Sequence, residues 1–203
     1  MRQKLTTDEM LPHSGVDLSQ HIQTKDSNVI RVFFAIWPSL AIQQQLHTIA
    51  KLLQPKCTAR VMRTGTLHMT LQFIGNIKQA QLPKLIAAAN KVSAQPFTLN
   101  LEKVAFWKHN RIAYATLKSN EPLLDELVSK LKTELAAEGV VYADCKFSPH
   151  VTLMRNVEHA LQTQDFAAIE WQIDSFVLVE SKLTDQGAHY KILQQWSLPL
   201  TQQ

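Results

Sequence analysis

The chain has 203 residues, of which 45% are hydrophobic and 19% charged, a composition ordinary for a globular protein that buries a sizeable core. Its net charge of +4 permits a polyanionic partner, but the basic residues are too thinly spread to coat nucleic acid by charge alone. No apolar stretch is long enough to span a membrane, the residues after Met1-Arg-Gln-Lys4 do not form the apolar core typical of a signal peptide, and Cys57 and Cys145 are too few for a disulfide framework. We therefore expect a soluble, cytoplasmic protein whose two thiols are buried.

The first 28 residues differ from the rest of the chain in composition. They are polar, include a proline and a glycine, and show no sustained hydrophobic period. Because such segments bury too little apolar surface to fold alone, we expect residues 1–28 to be a flexible N-terminal extension. Residues 29–203 are expected to fold as a single domain.

Strand and helix patterns alternate after residue 28. A β-rich apolar run ending at Pro38 predicts a buried strand, and Ser39 can cap the helix that follows it. Further segments with strand or helix periodicity follow in order: strands 58–62 and 67–74, helix 79–93, strands 97–106 and 111–117, a helix from Pro122 to Gly139, and strands 147–153, 171–179 and 190–198. This order is typical of an α+β fold.

The motif His-x-Thr-Leu occurs twice, and its two copies lie 82 residues apart. Successive side chains of a strand point to opposite faces, so His68 and Thr70 share one face of the first copy. His150 and Thr152 share one face of the second copy for the same reason. The repetition predicts two halves of one polar site.

The residues between these polar positions are apolar and are expected to face a core. They are Leu67, Met69, Leu71 and Phe73 in the first copy, and Val151 and Leu153 in the second. A strand with one apolar face and one face of histidine and threonine displays its polar groups away from the core.

Two histidines beside one reacting centre can act as general acid and general base, because the imidazole pKa lies near neutrality. Threonine hydroxyls on the same face can donate hydrogen bonds to the oxygens of a bound anion, which phosphoryl transfer requires. The chain has no His-x-x-x-His, no carboxylate cluster near either motif, no Gly-x-Ser-x-Gly and no Gly-rich phosphate loop. We therefore expect neither a metal ion nor a cofactor.

The two motifs resemble the paired His-x-Thr signature of the 2H phosphoesterases. The branch that the chain resembles is the bacterial, LigT-like RNA 2′,3′-cyclic phosphodiesterases, formerly called 2′-5′ RNA ligases; the resemblance spans residues 30–198 and is carried by segments 31–36, 147–155, 180–183 and 190–193. It implies a bilobal α+β fold with two similar lobes, each an antiparallel sheet with flanking helices. A central cleft would carry both His-x-Thr strands.

The resemblance also implies an activity, the metal-independent hydrolysis of a terminal 2′,3′-cyclic phosphate of RNA to a 2′-phosphate. His68 would be the proton donor to the departing 3′-oxygen, and His150 the proton acceptor that activates water. Thr70 and Thr152 would hold phosphoryl oxygens. Arg155 would end its strand near the phosphate and pair with it.

Four further residues receive weaker expectations. Phe34 could stack on a base, although strand aromatics more often belong to a core. Arg60 and Arg63 could reach RNA phosphates or simply be solvated. Tyr190 matches a family position near the cleft, with core packing as the alternative.

Several functional alternatives stay open at this point. The same cleft could act as a 2′-5′ RNA ligase or 2′-5′ phosphodiesterase, because these reactions differ in groove shape rather than in the reacting residues. A non-catalytic module that binds RNA ends is the alternative outside enzymes. In each case the expected partner is an RNA end or oligonucleotide, with no membrane, and the expected state is a monomer.

Overall fold

The structure is a computed structural model that describes residues 28–143, 146–185 and 187–199. Residues 1–27 of the predicted extension lie outside the described residues, and so does Cys145. Cys57 is fully buried, as expected. Within the described ranges, no helix combines the length and the apolar character that a membrane span needs.

Strands outnumber α-helices in the described part of the chain. In chain order the elements are β1 (Val29–Ile36), α1 (Leu40–Leu53), β2 (Arg60–Val61), β3 (Met69–Lys78), α2 (Leu82–Asn90), β4 (Phe97–Trp107), β5 (Ile112–Thr116), α3 (Pro122–Ala137), β6 (Val151–Arg155), β7 (Gln164–Ile173), β8 (Ser175–Thr184) and β9 (Gly187–Ser197). The predicted start of α1 is correct, since the Ser39 hydroxyl accepts a hydrogen bond from the Ile42 amide (3.4 Å). The predicted helix 79–93 is shorter in the structure, where α2 spans Leu82–Asn90. The predicted single strand 171–179 is wrong, because Asp174 separates β7 from β8.

The strands form one antiparallel sheet in the order β7-β4-β5-β6-β3-β1-β8-β9, and β2 pairs separately with β6. The sheet consists of two four-stranded halves, which meet where β3 pairs with β6 through Met69 and Val151. Helix α1 packs against β6 and β7 of one half. In the other half α2 packs against β9 and α3 packs against β3. This arrangement confirms the predicted α+β class and its antiparallel sheet.

Strand β1 shows how the two faces of the sheet differ. Val32, Phe34 and Ile36 point toward the helices and belong to the main core. The alternate residues Phe33 and Ala35 point to the opposite face, where they form a smaller apolar cluster with residues of β8. Because successive side chains of a strand point to opposite faces, this single strand contributes residues both to the main core and to the opposite, cleft-lining face.

Candidate active site

The two His-x-Thr motifs meet at the junction of the two halves. The first residue of β3 lies opposite the first residue of β6, and each histidine immediately precedes its strand. In an antiparallel pair the flanking positions face each other crosswise, so His68 comes opposite Thr152 and His150 opposite Thr70. The four side chains share one face, and because diagonal neighbours in such a pair lie about 7–8 Å apart, there is room for a phosphate group between the two rings.

A cavity of about 180 Å³ opens on this face. Its lining comprises Arg31, Phe33, Met62, Thr66, His68, Thr70, Phe73, His150, Thr152, Arg155, Ser181 and Tyr190. The structure thus brings together five of the six residues predicted for the site and leaves out Phe34. Within the described ranges, no three His, Cys, Asp or Glu side chains are grouped so that they could hold a metal ion.

The leucine of each motif is the extra residue of a β-bulge. The pairing of β3 with β1 skips Leu71, and the pairing of β6 with β5 skips Leu153. A bulge reverses the alternation of the residues that follow it, so Phe73 and Arg155 return to the cavity face. The prediction that Phe73 faces the core is therefore wrong, and its ring is 41% exposed.

Phe34 does not lie in the cavity, and its predicted stacking on a base is wrong. It is 0% exposed, and its ring centroid lies 6.4 Å from that of Phe176 and 6.0 Å from that of Trp196 in the main core. The adjacent Phe33 lines the cavity instead. Alternation puts two consecutive phenylalanines on opposite faces, and the sequence does not say which face is buried.

Each histidine ring is held in the same way. The Nδ1 atom of His68 lies 2.8 Å from the carbonyl oxygen of Thr66, and Nδ1 of His150 lies 2.8 Å from that of Ser148. A carbonyl oxygen only accepts hydrogen bonds, so Nδ1 carries the hydrogen in both rings. In the neutral imidazole, Nε2 is then the basic atom and is free to act on a bound molecule.

His68 lies among three aromatic rings. Trp37 is parallel to it at an interplanar angle of 3° and a centroid distance of 5.0 Å, Phe33 stacks at 4.9 Å, and Tyr190 presents its edge at 5.0 Å. Burial among these groups disfavours the charged imidazolium and lowers the pKa of His68 to about 4.

Two aromatic rings contact His150. Trp107 and Tyr114 meet its ring edge-on at centroid distances of 4.6 and 5.8 Å. Burial lowers the pKa of His150, and the positive charge of Arg155 lowers the pKa of both His150 and His68 further. Both imidazoles are therefore neutral at pH 7 in the ligand-free protein.

Two polar residues of α1 hold the segment that leads to His68, and motif reasoning did not find them. Gln43 is 4% exposed and donates a hydrogen bond from Nε2 to the Leu67 carbonyl (3.1 Å). Nδ1 of His47, one helical turn later, lies 3.1 Å from the Met62 carbonyl oxygen, whereas the helical pattern places this ring on the solvated side. The signal for Gln43 is a polar residue within the apolar stripe of α1.

Replacing Gln43 by leucine is expected to lower the free energy of unfolding by about 1–2 kcal/mol, because the buried Leu67 carbonyl loses its donor. Urea denaturation measures the change. The matched control is Gln45→Leu on the exposed side of the same helix, which should stay within about 0.5 kcal/mol of the wild type. Equal effects of the two variants would show that the Gln43 contact does not stabilise the fold.

Comparison with known proteins shows which proteins the chain resembles. A family model described as LigT like Phosphoesterase matches residues 36–114, which include the first motif. Over this segment the chain is similar to the LigT-like phosphoesterases. Among the relatives of this phosphoesterase, the RNA 2′,3′-cyclic phosphodiesterase of Escherichia coli (strain K12) is 27% identical over 171 residues, which cover 83% of the chain and 96% of the relative. The enzyme of the same name from Aquifex aeolicus (strain VF5) is 24% identical over 184 residues, covering 84% of the chain and 98% of the relative.

Solved structures of similar proteins share the fold. The crystal structure of E. coli LigT complexed with 3′-AMP has a TM-score of 0.76 and 25% identity, and the match covers 86% of this chain and 99% of LigT. The crystal structure of TT0787 of Thermus thermophilus has a TM-score of 0.72 and 24% identity, covering 85% of this chain and 100% of the other. The predicted resemblance to the LigT-like phosphoesterases, and with it a phosphoesterase, is confirmed.

Proposed function

We propose that this phosphoesterase is an RNA 2′,3′-cyclic phosphodiesterase that opens the terminal cyclic phosphate to a 2′-phosphate without a metal ion. The observation that carries the proposal is the pair of histidines in one cavity, each with Nδ1 fixed 2.8 Å from a backbone carbonyl oxygen and Nε2 left free. A pair of imidazoles fixed in this way suits a reaction that takes a proton on one side of phosphorus and gives one on the other. The names of the relatives support the substrate.

In the proposed reaction, Nε2 of His150 removes a proton from a water molecule as its oxygen attacks phosphorus. The bond between phosphorus and the ribose 3′-oxygen breaks, and Nε2–H of His68 gives its proton to that oxygen. The product is a 2′-phosphate with a free 3′-hydroxyl. His150 gains one proton from water and His68 loses one to the 3′-oxygen. The pair returns to its starting state when His150 releases a proton to solvent and His68 takes one up.

The groups around the two rings suit the charge that develops on the phosphoryl oxygens. Thr70 and Thr152 lie crosswise to the histidines and can donate hydrogen bonds to the two non-bridging oxygens. Arg155 lines the same cavity as both rings, so its guanidinium can also reach an anion held between them. Fixed donors aimed at a developing charge are the main source of catalysis in phosphoryl transfer.

The proposed proton donor must gain its proton when substrate binds. Both histidines are neutral at pH 7 in the empty cavity, because burial lowers their pKa values. A bound cyclic phosphate carries a negative charge, and a nearby negative charge favours the imidazolium. Substrate binding and protonation of His68 are therefore coupled.

This coupling predicts different pH profiles for kcat/KM and kcat. The profile of kcat/KM reports the free enzyme and should be a bell with its maximum below the ordinary imidazole pKa of 6.5, since burial lowers both histidine pKa values. The profile of kcat reports the complex and should be displaced to higher pH by the bound anion. Initial rates between pH 4 and 9 measure both. A kcat/KM that rises to a plateau at alkaline pH would contradict the need for a protonated histidine.

The proposed activity is tested with a short oligoribonucleotide that ends in a 2′,3′-cyclic phosphate, incubated with chelator-treated enzyme. Conversion to a 2′-phosphate alone is the expected result. Loss of turnover on chelation would overturn the metal-free mechanism, and a 3′-phosphate product would reverse the proposed leaving oxygen. Tight binding without turnover would identify a module that binds RNA ends.

A further inference from the structure

Trp37 contacts the ring of His68 from the end of the neighbouring strand. Trp37 follows β1 and His68 precedes β3, and the antiparallel register that pairs Ile36 with Met69 brings the two residues opposite each other. Their rings are parallel, with an interplanar angle of 3° and a centroid distance of 5.0 Å. The contact therefore comes from a residue outside both His-x-Thr motifs and outside the lining of the cavity.

The position of the Trp37 ring is fixed by its neighbours. Pro38 follows it and is buried, and a residue before proline is restricted to extended backbone. Tyr190 lies close to perpendicular to the Trp37 ring, at 79° and a centroid distance of 6.0 Å, and to the Phe33 ring, at 82° and 5.5 Å. The indole is therefore held beside His68 before any ligand binds.

The two histidines differ in the geometry of their aromatic contacts. Besides Trp37, Phe33 stacks on His68 at an interplanar angle of 28°. The contacts of His150 are steeply inclined, at 70° for Trp107 and 76° for Tyr114. An aromatic ring is negative on its face and positive at its edge, so a parallel ring presents its negative face to the imidazole. The ring contacts therefore distinguish two histidines whose hydrogen bonds are alike.

The other surroundings of His68 oppose a positive charge. The charged and titratable side chains around it are Arg31 of β1, His150 and Arg155 of β6, and Tyr190 of β9. Burial lowers the pKa of His68 most, and the charges of His150 and Arg155 lower it further. None of the described residues that line the cavity carries a carboxylate. The Thr66 carbonyl and the stacked ring faces are therefore the groups that favour the imidazolium before an anion binds.

We propose that Trp37 is a positioning residue whose indole face stabilises the protonated ring of His68, and that this contact makes His68 rather than His150 the proton donor. The inference rests on the proposed function, in which His68 gains its proton when the substrate binds. A cation within about 6 Å of a tryptophan ring centroid is attracted to the ring face, and more strongly where water is excluded. The indole thus offsets part of the cost of burying the charge, and it keeps the imidazole in one orientation.

A comparison of Trp37→Phe with Trp37→Leu isolates the ring face, because both variants keep an apolar side chain beside His68. NMR titration of the His68 imidazole between pH 4 and 9 in saturating sulfate measures its pKa next to an anion that does not titrate in this range. The pKa of His68 should be lower in Trp37→Leu than in Trp37→Phe by about half a unit to one unit. Trp37→Met repeats the apolar change should Trp37→Leu fail to fold.

Turnover gives a second readout, which a purely structural role would not move. On a 2′,3′-cyclic oligonucleotide at pH 8, kcat should be about threefold lower in Trp37→Leu than in Trp37→Phe, because less His68 is protonated. When sulfur replaces the bridging 3′-oxygen, a thiolate leaves without a proton, and the two variants should turn over equally. The matched control is the pair Trp196→Phe and Trp196→Leu, which changes a tryptophan stacked on Phe176 against the main core and should show neither difference.

The titration separates this inference from the proposed function. A lower pKa of His68 in Trp37→Leu supports the stack even if the wild type hydrolyses nothing, a result that would overturn only the proposed function. Equal pKa values in the two variants would overturn the inference. Equal losses of rate on the oxygen and sulfur substrates would also overturn it, because Trp37 would then act on something other than proton donation. A matching pKa difference in the Trp196 pair would reduce the effect to general packing and overturn it too.

Discussion

His68→Ala and His150→Ala are each expected to lower kcat by about 10²- to 10⁴-fold, because each removes one proton-transfer group. Both rings line the cavity rather than the main core, so the fold should survive the substitutions. Initial rates on a 2′,3′-cyclic oligonucleotide measure the loss, and circular dichroism confirms folding. Activity near the wild-type level in both folded variants would exclude acid–base catalysis by these residues.

The two variants should respond differently to a substrate with sulfur in place of the bridging 3′-oxygen. A thiolate leaves without being protonated, so His68→Ala should recover most of its lost rate on this substrate. His150→Ala should recover none, because water must still be activated. If His150→Ala recovered its rate and His68→Ala did not, the two roles would be exchanged. The roles follow from the family resemblance, because the hydrogen bonds of the two rings are nearly identical.

Arg155→Gln is expected to lower kcat/KM by about 10- to 100-fold, which corresponds to the loss of one hydrogen bond between charged groups. The same variant should move the kcat/KM optimum to higher pH, because the charge of Arg155 lowers the pKa of both histidines. Arg155→Lys keeps the charge and should retain the optimum while losing part of the rate.

The pH shift separates a role at the phosphate from a purely structural one. Lys84→Gln, which removes a positive charge from the surface of α2, is the matched control and should alter neither the rate nor the optimum. If Arg155→Gln lowered the rate without moving the optimum, its guanidinium would not lie beside the two rings in solution.

The repeated motif predicted which side chains share a face, because strand alternation holds from the histidine to the threonine of each copy. His68 and Thr70 were predicted to share a face, as were His150 and Thr152, and all four line one cavity. Alternation predicts the wrong face for Phe73 and Arg155, three residues after each threonine. A bulge reverses the alternation there, and the residue types at Leu71 and Leu153 do not indicate a bulge. Arg155 was expected from the resemblance, and it is the bulge at Leu153 that turns it to the cavity.

The sequence could not assign faces where both candidates were equally apolar. Phe33 and Phe34 differ only in position, and the choice between cleft and core depends on the partners of β1 in the sheet. A polar Gln43 in the apolar stripe of α1 signals a buried contact. The partners of Gln43 and His47 could not be predicted, because they are backbone carbonyls of the segment before His68, which no pattern of side chains reveals. The like-charge pair of Arg60 and Arg155, which lie opposite each other in β2 and β6, became visible only through the register of β2.

The most direct measurement compares binding and turnover in the His68→Gln/His150→Gln double variant and the wild type, both treated with chelator. The wild type should convert a 2′,3′-cyclic oligonucleotide to its 2′-phosphate. The double variant should bind the intact oligonucleotide within about tenfold of the wild-type affinity and convert none of it, since Thr70, Thr152 and Arg155 still line the cavity and can hold the phosphate. Continued conversion by the folded double variant would contradict the two-histidine mechanism.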